Sequence, residues 1–149
     1  MAIPPFPDNR RSNLQKIKLA ESVDHLSQLP LFKGVAKRHV RAIARLTHMG
    51  QIEAGAELIR EGSRGAEAYV IIAGTATVRR GGRKVAEVGR GDVVGESGML
   101  VDQPRNSTVQ AVTPIEYLVV SRKTVKACVA ESPEFGWLLI EALASRAAK

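Results

Sequence analysis

The chain has 149 residues, 44% hydrophobic and 25% charged, which is typical of one folded domain large enough to bury a core. Its single cysteine excludes an internal disulfide framework, and no apolar run is long enough to cross a membrane, so we expect a cytoplasmic protein without a membrane span. The net charge of +7 is spread over several segments, which favours a solvated basic surface over a nucleic-acid interface.

The first third of the chain predicts a tail followed by helix. Residues 1–25 combine a Pro-rich start with weak helical periodicity, and we place the boundary of the folded domain there, with the domain running over 26–149. A stronger apolar stripe with helical spacing follows, and we expect it to end near Gly50. The stripe consists of Val40, Ile43, Ala44 and Leu46.

After Gly50, short β-favouring runs alternate with glycine-containing turns, which is typical of an antiparallel barrel or sandwich. Gly81-Gly82 predicts a tight hairpin, because two glycines accept positive φ. The apolar run Val70–Ile72 predicts a central strand. The predicted strands are Gln51–Glu53, Glu57–Arg60, Ala68–Ile72, Thr75–Arg80, Lys84–Val88, Thr108–Thr113 and Ile115–Val120.

Helical periodicity returns at Ser121, which predicts the N-cap of a first C-terminal helix. Ser132-Pro133-Glu134 predicts the start of a second one, from a capping hydroxyl, a proline at the first helical position and an acid in the first turn. Trp137 and Ile140 lie off its apolar stripe, so this helix either packs deeply or meets a partner. The stripe consists of Phe135, Leu138, Leu139, Ala142 and Leu143.

One Gly-rich segment, 91–109, interrupts the rhythm of the strands. Gly95 and Gly98 allow the backbone to approach a ligand, and a short helical turn beginning near Ser97 would direct free N–H groups outward, as in anion sites. The guanidinium of Arg105 matches phosphate oxygens, and the carboxylate of Glu96 matches a hydroxyl or a cation. An ion pair between Glu96 and Arg105 is an equally simple interpretation.

The sequence from Gly95 to Leu100, followed by Pro104 to Val109, resembles the phosphate-binding cassette of cyclic nucleotide-binding domains. That family includes protein kinase A regulatory subunits, cyclic nucleotide-gated channels and catabolite activator proteins. Residues 29–34 resemble its entry motif, residues 53–55 with 61–62 resemble its first strands and turns, and residues 68–74 resemble its central strand with the following glycine turn. The resemblance, with the strand pattern, implies a mainly β fold: an eight-stranded antiparallel, jelly-roll-like β-barrel with N-terminal helices and two C-terminal helices.

The resemblance also implies the roles of individual residues. Glu96 would accept a hydrogen bond from the ribose 2′-hydroxyl, and Arg105 would neutralise the cyclic phosphate. The residue after the arginine is usually small, so Asn106 leaves selectivity between cAMP, our expected ligand, and cGMP open. The base has no predicted partner unless Trp137 stacks on it, although we expect that tryptophan in the core or at an interface. The predicted binding residues are Val94, Gly95, Glu96, Ser97, Gly98, Arg105, Asn106 and Ser107.

Our prediction is a stand-alone, non-enzymatic sensor whose C-terminal helices move on binding and signal to an effector that the sequence does not identify. The three histidines lack a metal-ligand spacing, and no nucleophile–base arrangement is present, so we expect neither a metal nor a catalytic site. The alternative is a non-signalling scaffold with a weak nucleotide site. It would dimerise through its last helix, at Phe135, Trp137, Leu139 and Leu143.

Overall fold

The computed structural model describes residues 23, 24, 26–28, 32–131 and 133–145. Most of the predicted tail and weak helix, residues 29–31 of the entry motif and the predicted Ser132 cap lie outside the described residues. Short helical pieces at 23–24 and 26–28 precede the first complete helix. The strands are β1 His48–Ile52, β2 Glu57–Ile59, β3 Glu67–Ala73, β4 Ala76–Arg80, β5 Arg83–Val88, β6 Val93–Val94, β7 Thr108–Ala111 and β8 Ile115–Ser121. The helices are α1 Lys37–Leu46, α2 Glu96–Leu100, α3 Arg122–Glu131 and α4 Pro133–Ser145.

The eight strands form two antiparallel sheets of four. The order in the first sheet is β1-β8-β3-β6, and the order in the second sheet is β2-β7-β4-β5. No strand pairing joins the two sheets within the described residues, so the predicted β-barrel is wrong in that the sheets do not close on each other. Closed barrels and double-sheet domains share the same short strands and turn spacing, which is why the sequence does not separate them.

Strand β3 is buried on both faces, as its all-apolar run predicts. It lies inside the first sheet between β8 and β6. Because neighbouring strand residues point to opposite faces, Val70 and Ile72 pack with the helices, whereas Ile71 packs between the two sheets. The first sheet therefore separates two apolar cores, one shared with the helices and one shared with the second sheet.

The predicted hairpin at Gly81-Gly82 is confirmed. Arg80 pairs with Arg83 across it, and both glycines have positive φ, at 60° and 79°. A two-residue turn with positive φ at both positions matches the twist of the flanking strands. The hairpin places Arg80 at the end of β4.

The expectation that the first helix ends near Gly50 is wrong. Helix α1 ends at Leu46, which is 45% exposed rather than buried, and Gly50 lies in β1 opposite Tyr117. A Cβ at Gly50 would lie 2.5 Å from Cζ of Tyr117, so this glycine makes room for a cross-strand aromatic ring. Val40, Ile43 and Ala44 are buried as predicted.

The C-terminal helices follow the sequence pattern in part. The predicted Ser121 cap is confirmed, because the Thr124 N–H donates to Ser121 Oγ at 3.2 Å. Leu143 is fully buried in the core under the helices. Trp137, however, is 60% exposed, so a place in the core is excluded, and its Nε1 donates to Glu141 at 2.8 Å. The side chains of Phe135, Leu138, Leu139 and Ala142 lie outside the described part.

Candidate functional site

The backbone of the Gly-rich segment turns sharply after β6. Val94 pairs with Tyr69 of β3, and Gly95 then adopts a left-handed conformation with a φ of 81°. Helix α2 begins directly afterwards, at Glu96 rather than at the predicted Ser97, and the Met99 N–H donates to the Gly95 carbonyl at 3.2 Å. A side chain other than glycine is strained at this φ, so Gly95 sets the direction in which α2 leaves the sheet.

Arg105 lies in an irregular segment between α2 and β7 and is held by its backbone. Its N–H donates to the Ser63 carbonyl at 2.8 Å, and its carbonyl accepts from the Gly62 N–H at 2.7 Å. The residue is only 7% exposed. A turn about 40 residues earlier in the chain therefore fixes the position from which the guanidinium extends.

The guanidinium of Arg105 contacts backbone rather than a carboxylate. Its Nη1 donates to the Gly95 carbonyl at 2.9 Å, and its Nη2 donates to the Glu67 carbonyl at 2.7 Å. The salt bridges among the described residues do not involve Arg105, so the ion pair with Glu96 is not formed. An arginine has five N–H donors, and these two bonds use two of them. A buried cation without a counter-ion is costly, and an anion placed against the remaining donors would offset that cost.

Glu96 and Ser97 form the first turn of α2. Both are partly buried, and the Ser97 hydroxyl donates to Oε1 of Glu96 at 3.2 Å. The second oxygen of this carboxylate remains an acceptor for a ligand hydroxyl. Glu96 therefore has the chemistry that a sugar hydroxyl would require.

Sequence reasoning missed Arg80. Its Nε and Nη2 donate to Ser107 Oγ at 3.3 and 3.2 Å, and Nε also donates to the Asn106 carbonyl at 3.2 Å. The Ser107 hydroxyl itself donates to Oδ1 of Asn106 at 2.9 Å, so it is not free to donate to a phosphate in this arrangement. The contact depends on the pairing of β4 with β7, which a motif search along the chain does not reveal.

These residues surround one cleft that is open to solvent. All eight residues predicted from the sequence line it. Sequence reasoning did not identify the apolar wall that completes it, which consists of Ile59, Val78 and Val109.

Tyr69 lies next to this site in the sheet. Burial raises the pKa of its hydroxyl, the charge of Glu67 raises it further, and the nearby Arg105 opposes the shift. Its ring meets that of Tyr117 edge-on, with the centroids 5.3 Å apart. The phenol is therefore neutral at physiological pH and does not act as a counter-ion for Arg105.

Two absences hold for the residues that the structure describes. No group of three or more His, Cys, Asp or Glu side chains is arranged to hold a metal ion there. No helix in that part of the chain has the length and apolar character needed to span a bilayer.

The site and fold together define a class: a double-sheet β domain with a Gly-rich segment and a buried arginine between β6 and β7, followed by two helices. The profile of the cyclic nucleotide-binding domain family matches residues 49–132, more than half of the chain. The chain belongs to this family, which confirms the resemblance drawn from its motifs. Members of the family are regulatory binding modules.

Two relatives illustrate the comparison. The cAMP-dependent protein kinase regulatory subunit of Eremothecium gossypii is 33% identical over 100 residues, which cover 66% of this chain and 22% of the relative. The crystal structure of a cyclic nucleotide-binding domain from Methylobacillus flagellatus superposes with a TM-score of 0.75 at 24% identity, over 88% of this chain and 76% of the other. The chain thus spans less than a quarter of the kinase subunit.

A third comparison is with a ligand-bound structure. The regulatory domain of Toxoplasma gondii protein kinase A, crystallised with cAMP, superposes with a TM-score of 0.72 at 19% identity. The match covers 89% of this chain and 52% of the other. At this identity the likeness establishes the fold.

Proposed function

We propose that the cleft binds a cyclic nucleotide, with cAMP as the preferred ligand and cGMP as a second candidate. Arg105 neutralises the cyclic phosphate, Glu96 accepts a hydrogen bond from the ribose 2′-hydroxyl, and Gly95, Ser97 and Gly98 line the ribose-phosphate. The observation that carries the proposal is the buried Arg105 guanidinium, which has no ion-pair partner among the described residues and lines an open cleft.

The choice of cAMP is supported by the kinase regulatory subunit among the relatives and by the cAMP-bound structure with the same fold. The apolar wall of Ile59, Val78 and Val109 offers a surface for the uncharged parts of the ligand. The proposed module occupies residues 26–149 and is a binding protein rather than an enzyme. We place it in the cytoplasm, which its single cysteine favours.

We further propose that binding shifts the C-terminal helices and that a protein effector reads this shift. Arg122, at the start of α3, donates from Nε to the Met99 carbonyl of α2 at 3.0 Å. Met99 also packs in the same core as Val125, Cys128 and Leu143 of the two helices. A displacement of α2 by a ligand would therefore reach α3 and α4 through direct contacts.

Titration calorimetry with cAMP and cGMP tests the nucleotide site. We expect binding to the unmodified chain and a loss of about tenfold to a hundredfold in Arg105→Lys, which keeps the charge but loses the forked donor geometry. Glu96→Gln tests the ribose contact without disturbing Arg105. Arg83→Lys and Glu87→Gln are matched controls, because both positions lie on the exposed strand β5 away from the cleft.

Each variant is checked for folding by thermal denaturation. No heat with either nucleotide at millimolar concentration would contradict the proposal. So would an Arg105→Lys variant that folds and binds as tightly as the Arg83→Lys control.

The exposed Trp137 favours a second candidate, a scaffold that associates through α4. A large aromatic side chain exposed on a helix is typical of protein interfaces. Leu143, which we placed on this interface from the sequence, is fully buried and contributes to the core instead. Light scattering of the unmodified chain and of Trp137→Ala separates the candidates: a dimer that the substitution dissociates supports the scaffold.

A further inference from the structure

Helix α1 has one side that consists of cations. Because an α-helix turns by about 100° per residue, four of its basic side chains leave it within an arc of about 100°. All four are exposed, whereas the three buried residues of the helix pack into the core on another side. We refer to these four residues as the α1 basic face, which consists of Lys37, Arg38, Arg41 and Arg45.

The α1 basic face has no counter-charge among the described residues. The salt bridges in that part of the chain involve none of its four members, and α1 itself contains no Asp or Glu. Cations elsewhere are paired: Arg60, Arg64 and Lys84 each contact a carboxylate. The charges on α1 therefore do not belong to an internal network of ion pairs.

These charges also oppose the stability of the helix that carries them. Lys37 and Arg41, and likewise Arg41 and Arg45, are four residues apart, a spacing at which like charges repel on a helix. Lys37 and Arg38 lie in the first turn, where the helix dipole disfavours cations, and Ala36 provides no side-chain cap. Folding of α1 therefore does not account for its basic face, but a partner that supplies the missing negative charge would.

Helix α1 is in direct contact with the C-terminal helices. The Thr124 hydroxyl of α3 donates to the Leu46 carbonyl, the last residue of α1, at 3.1 Å. Ile43 lies in the same core as Val125 and Leu143. A partner bound to α1 would therefore contact an element that is packed against the helices proposed to shift.

We propose that the α1 basic face is a docking surface for an acidic segment of a protein effector, and that docking is coupled to the nucleotide site through α3. The coupling rests on the proposed nucleotide function, whereas the docking surface does not. Carboxylates supply the charge that this face lacks, and the planar guanidiniums of Arg38, Arg41 and Arg45 pair with them through two parallel hydrogen bonds.

The composition of α1 favours a protein over other polyanions. A helix that binds a bilayer surface inserts its apolar side, and here that side is buried in the core. The helix also carries no Phe, Tyr or Trp to stack on bases and no Asn or Gln to read a base edge. An acidic protein segment requires neither feature.

Fluorescence anisotropy with a labelled oligoglutamate peptide tests the docking surface on the full chain. In the double variant Arg41→Gln/Arg45→Gln we expect affinity to fall about three- to tenfold. The control Arg79→Gln/Arg83→Gln removes the same charge from the exposed hairpin. At about 0.1 M salt its loss should stay below about twofold, because charges away from the contact act only through a screened field.

Thermal denaturation separates lost binding from lost folding. Arg41→Gln/Arg45→Gln should be at least as stable as the unmodified chain, since it removes a repulsive pair. The coupling is tested by repeating the peptide titration with saturating cAMP. We expect the peptide affinity to change about fivefold or more, and the cAMP affinity to change by the same factor when the peptide is bound.

Several results would overturn the proposal. Equal losses in the two double variants would mean general attraction to a basic protein. Tighter, more α1-dependent binding of oligothymidylate or of phosphatidylserine vesicles would identify a nucleic acid or a membrane as the partner. Peptide affinity that cAMP leaves unchanged, in a chain that binds cAMP, would exclude the coupling.

Failure of the nucleotide function is distinguishable from failure of the docking surface. If calorimetry shows no nucleotide binding but the peptide still depends on Arg41 and Arg45, the docking surface stands and the nucleotide function and the coupling are wrong. If cAMP binds and the peptide affinity does not depend on these two arginines, the nucleotide function stands and the docking surface is wrong.

Discussion

Three glycines leave the space in which the Arg105 guanidinium lies. A Cβ at Gly65, Gly95 or Gly98 would come within 2.7, 2.7 and 2.9 Å of its nitrogen atoms. Atoms cannot approach this closely without displacement, so any of these side chains would push the guanidinium from its place. The geometry of the site therefore also depends on Gly65, which does not itself line the cleft.

Gly65→Ala tests this dependence most directly, because Gly65 has an ordinary φ and no backbone strain accompanies the substitution. We expect nucleotide affinity to fall about tenfold, equivalent to about 1.4 kcal/mol, as the methyl group displaces Arg105. Gly89→Ala is the matched control, because its Cβ would meet neighbours only at 3.7 Å and beyond. Calorimetry of both variants makes the comparison, and equal affinities would contradict it.

Cys128 provides a second residue-scale prediction. Burial raises the pKa of its thiol, and the charge of Glu131 raises it further. The unfolded thiol therefore ionises at a lower pH than the folded one, so this group favours folding progressively less as pH rises through about 8.5 and above. We expect slow alkylation of the native chain at pH 8, fast alkylation in denaturant, and a steeper loss of stability above pH 8.5 than in Cys128→Ala. Native alkylation as fast as in denaturant would contradict this account.

At the scale of elements, α3 and α4 cross at a glycine. A Cβ at Gly136 would lie 2.4 Å from Cγ2 of Val129 and 2.6 Å from its Cα, so the helices approach closely there. The backbone of α3 cannot withdraw without shifting the helix. Gly136 is therefore a packing residue of the helix pair.

The sign of the effect of Gly136→Ala tests this packing. Helix propensity alone would stabilise the variant by about 1 kcal/mol, whereas overpacking against α3 should destabilise it by about 1–3 kcal/mol. Ala144→Gly, at an exposed position of the same helix, calibrates the propensity effect. Urea unfolding measures both variants, and a more stable Gly136→Ala chain would show that the close approach does not constrain the helices.

The elements also show which structural features can be predicted from a sequence pattern. Local signals located the hairpin at Gly81-Gly82, the Ser121 cap and the central strand β3, because each depends on neighbours along the chain. Gly50 was misassigned because its role depends on Tyr117, a partner in a strand far along the chain. Strand β6 was missed because two residues within a Gly-rich segment carry no periodicity.

The same distinction between local signals and long-range contacts applies to the candidate site. A contiguous motif brought its eight predicted residues together in one cleft. Arg80 was missed because its contact with Ser107 spans 27 residues and requires the register of β4 on β7. Whether Glu96 and Arg105 form an ion pair depends on the directions of their side chains, which cannot be predicted from the sequence.

For the whole molecule, the cassette lies between the two cores. Val94, before the turn at Gly95, packs between the sheets, and Met99 of α2 packs with the helices. Arg122 adds a hydrogen bond from α3 to the Met99 carbonyl in the last turn of α2. A ligand that orders the cassette would therefore stabilise the helical core as well.

Arg122→Met tests this coupling, because methionine keeps an unbranched side chain of similar length but has no N–H donor, and Met99 stays in the core. Hydrogen exchange followed with and without cAMP should show ligand protection over 93–107 in every variant. Protection over 122–131 and 133–145 should appear in the unmodified chain and in the control Lys123→Met, but be reduced in Arg122→Met. We expect little change in affinity, since Arg122 does not line the cleft. Equal protection of the helices in Arg122→Met and Lys123→Met would mean that the coupling runs through Met99 packing alone.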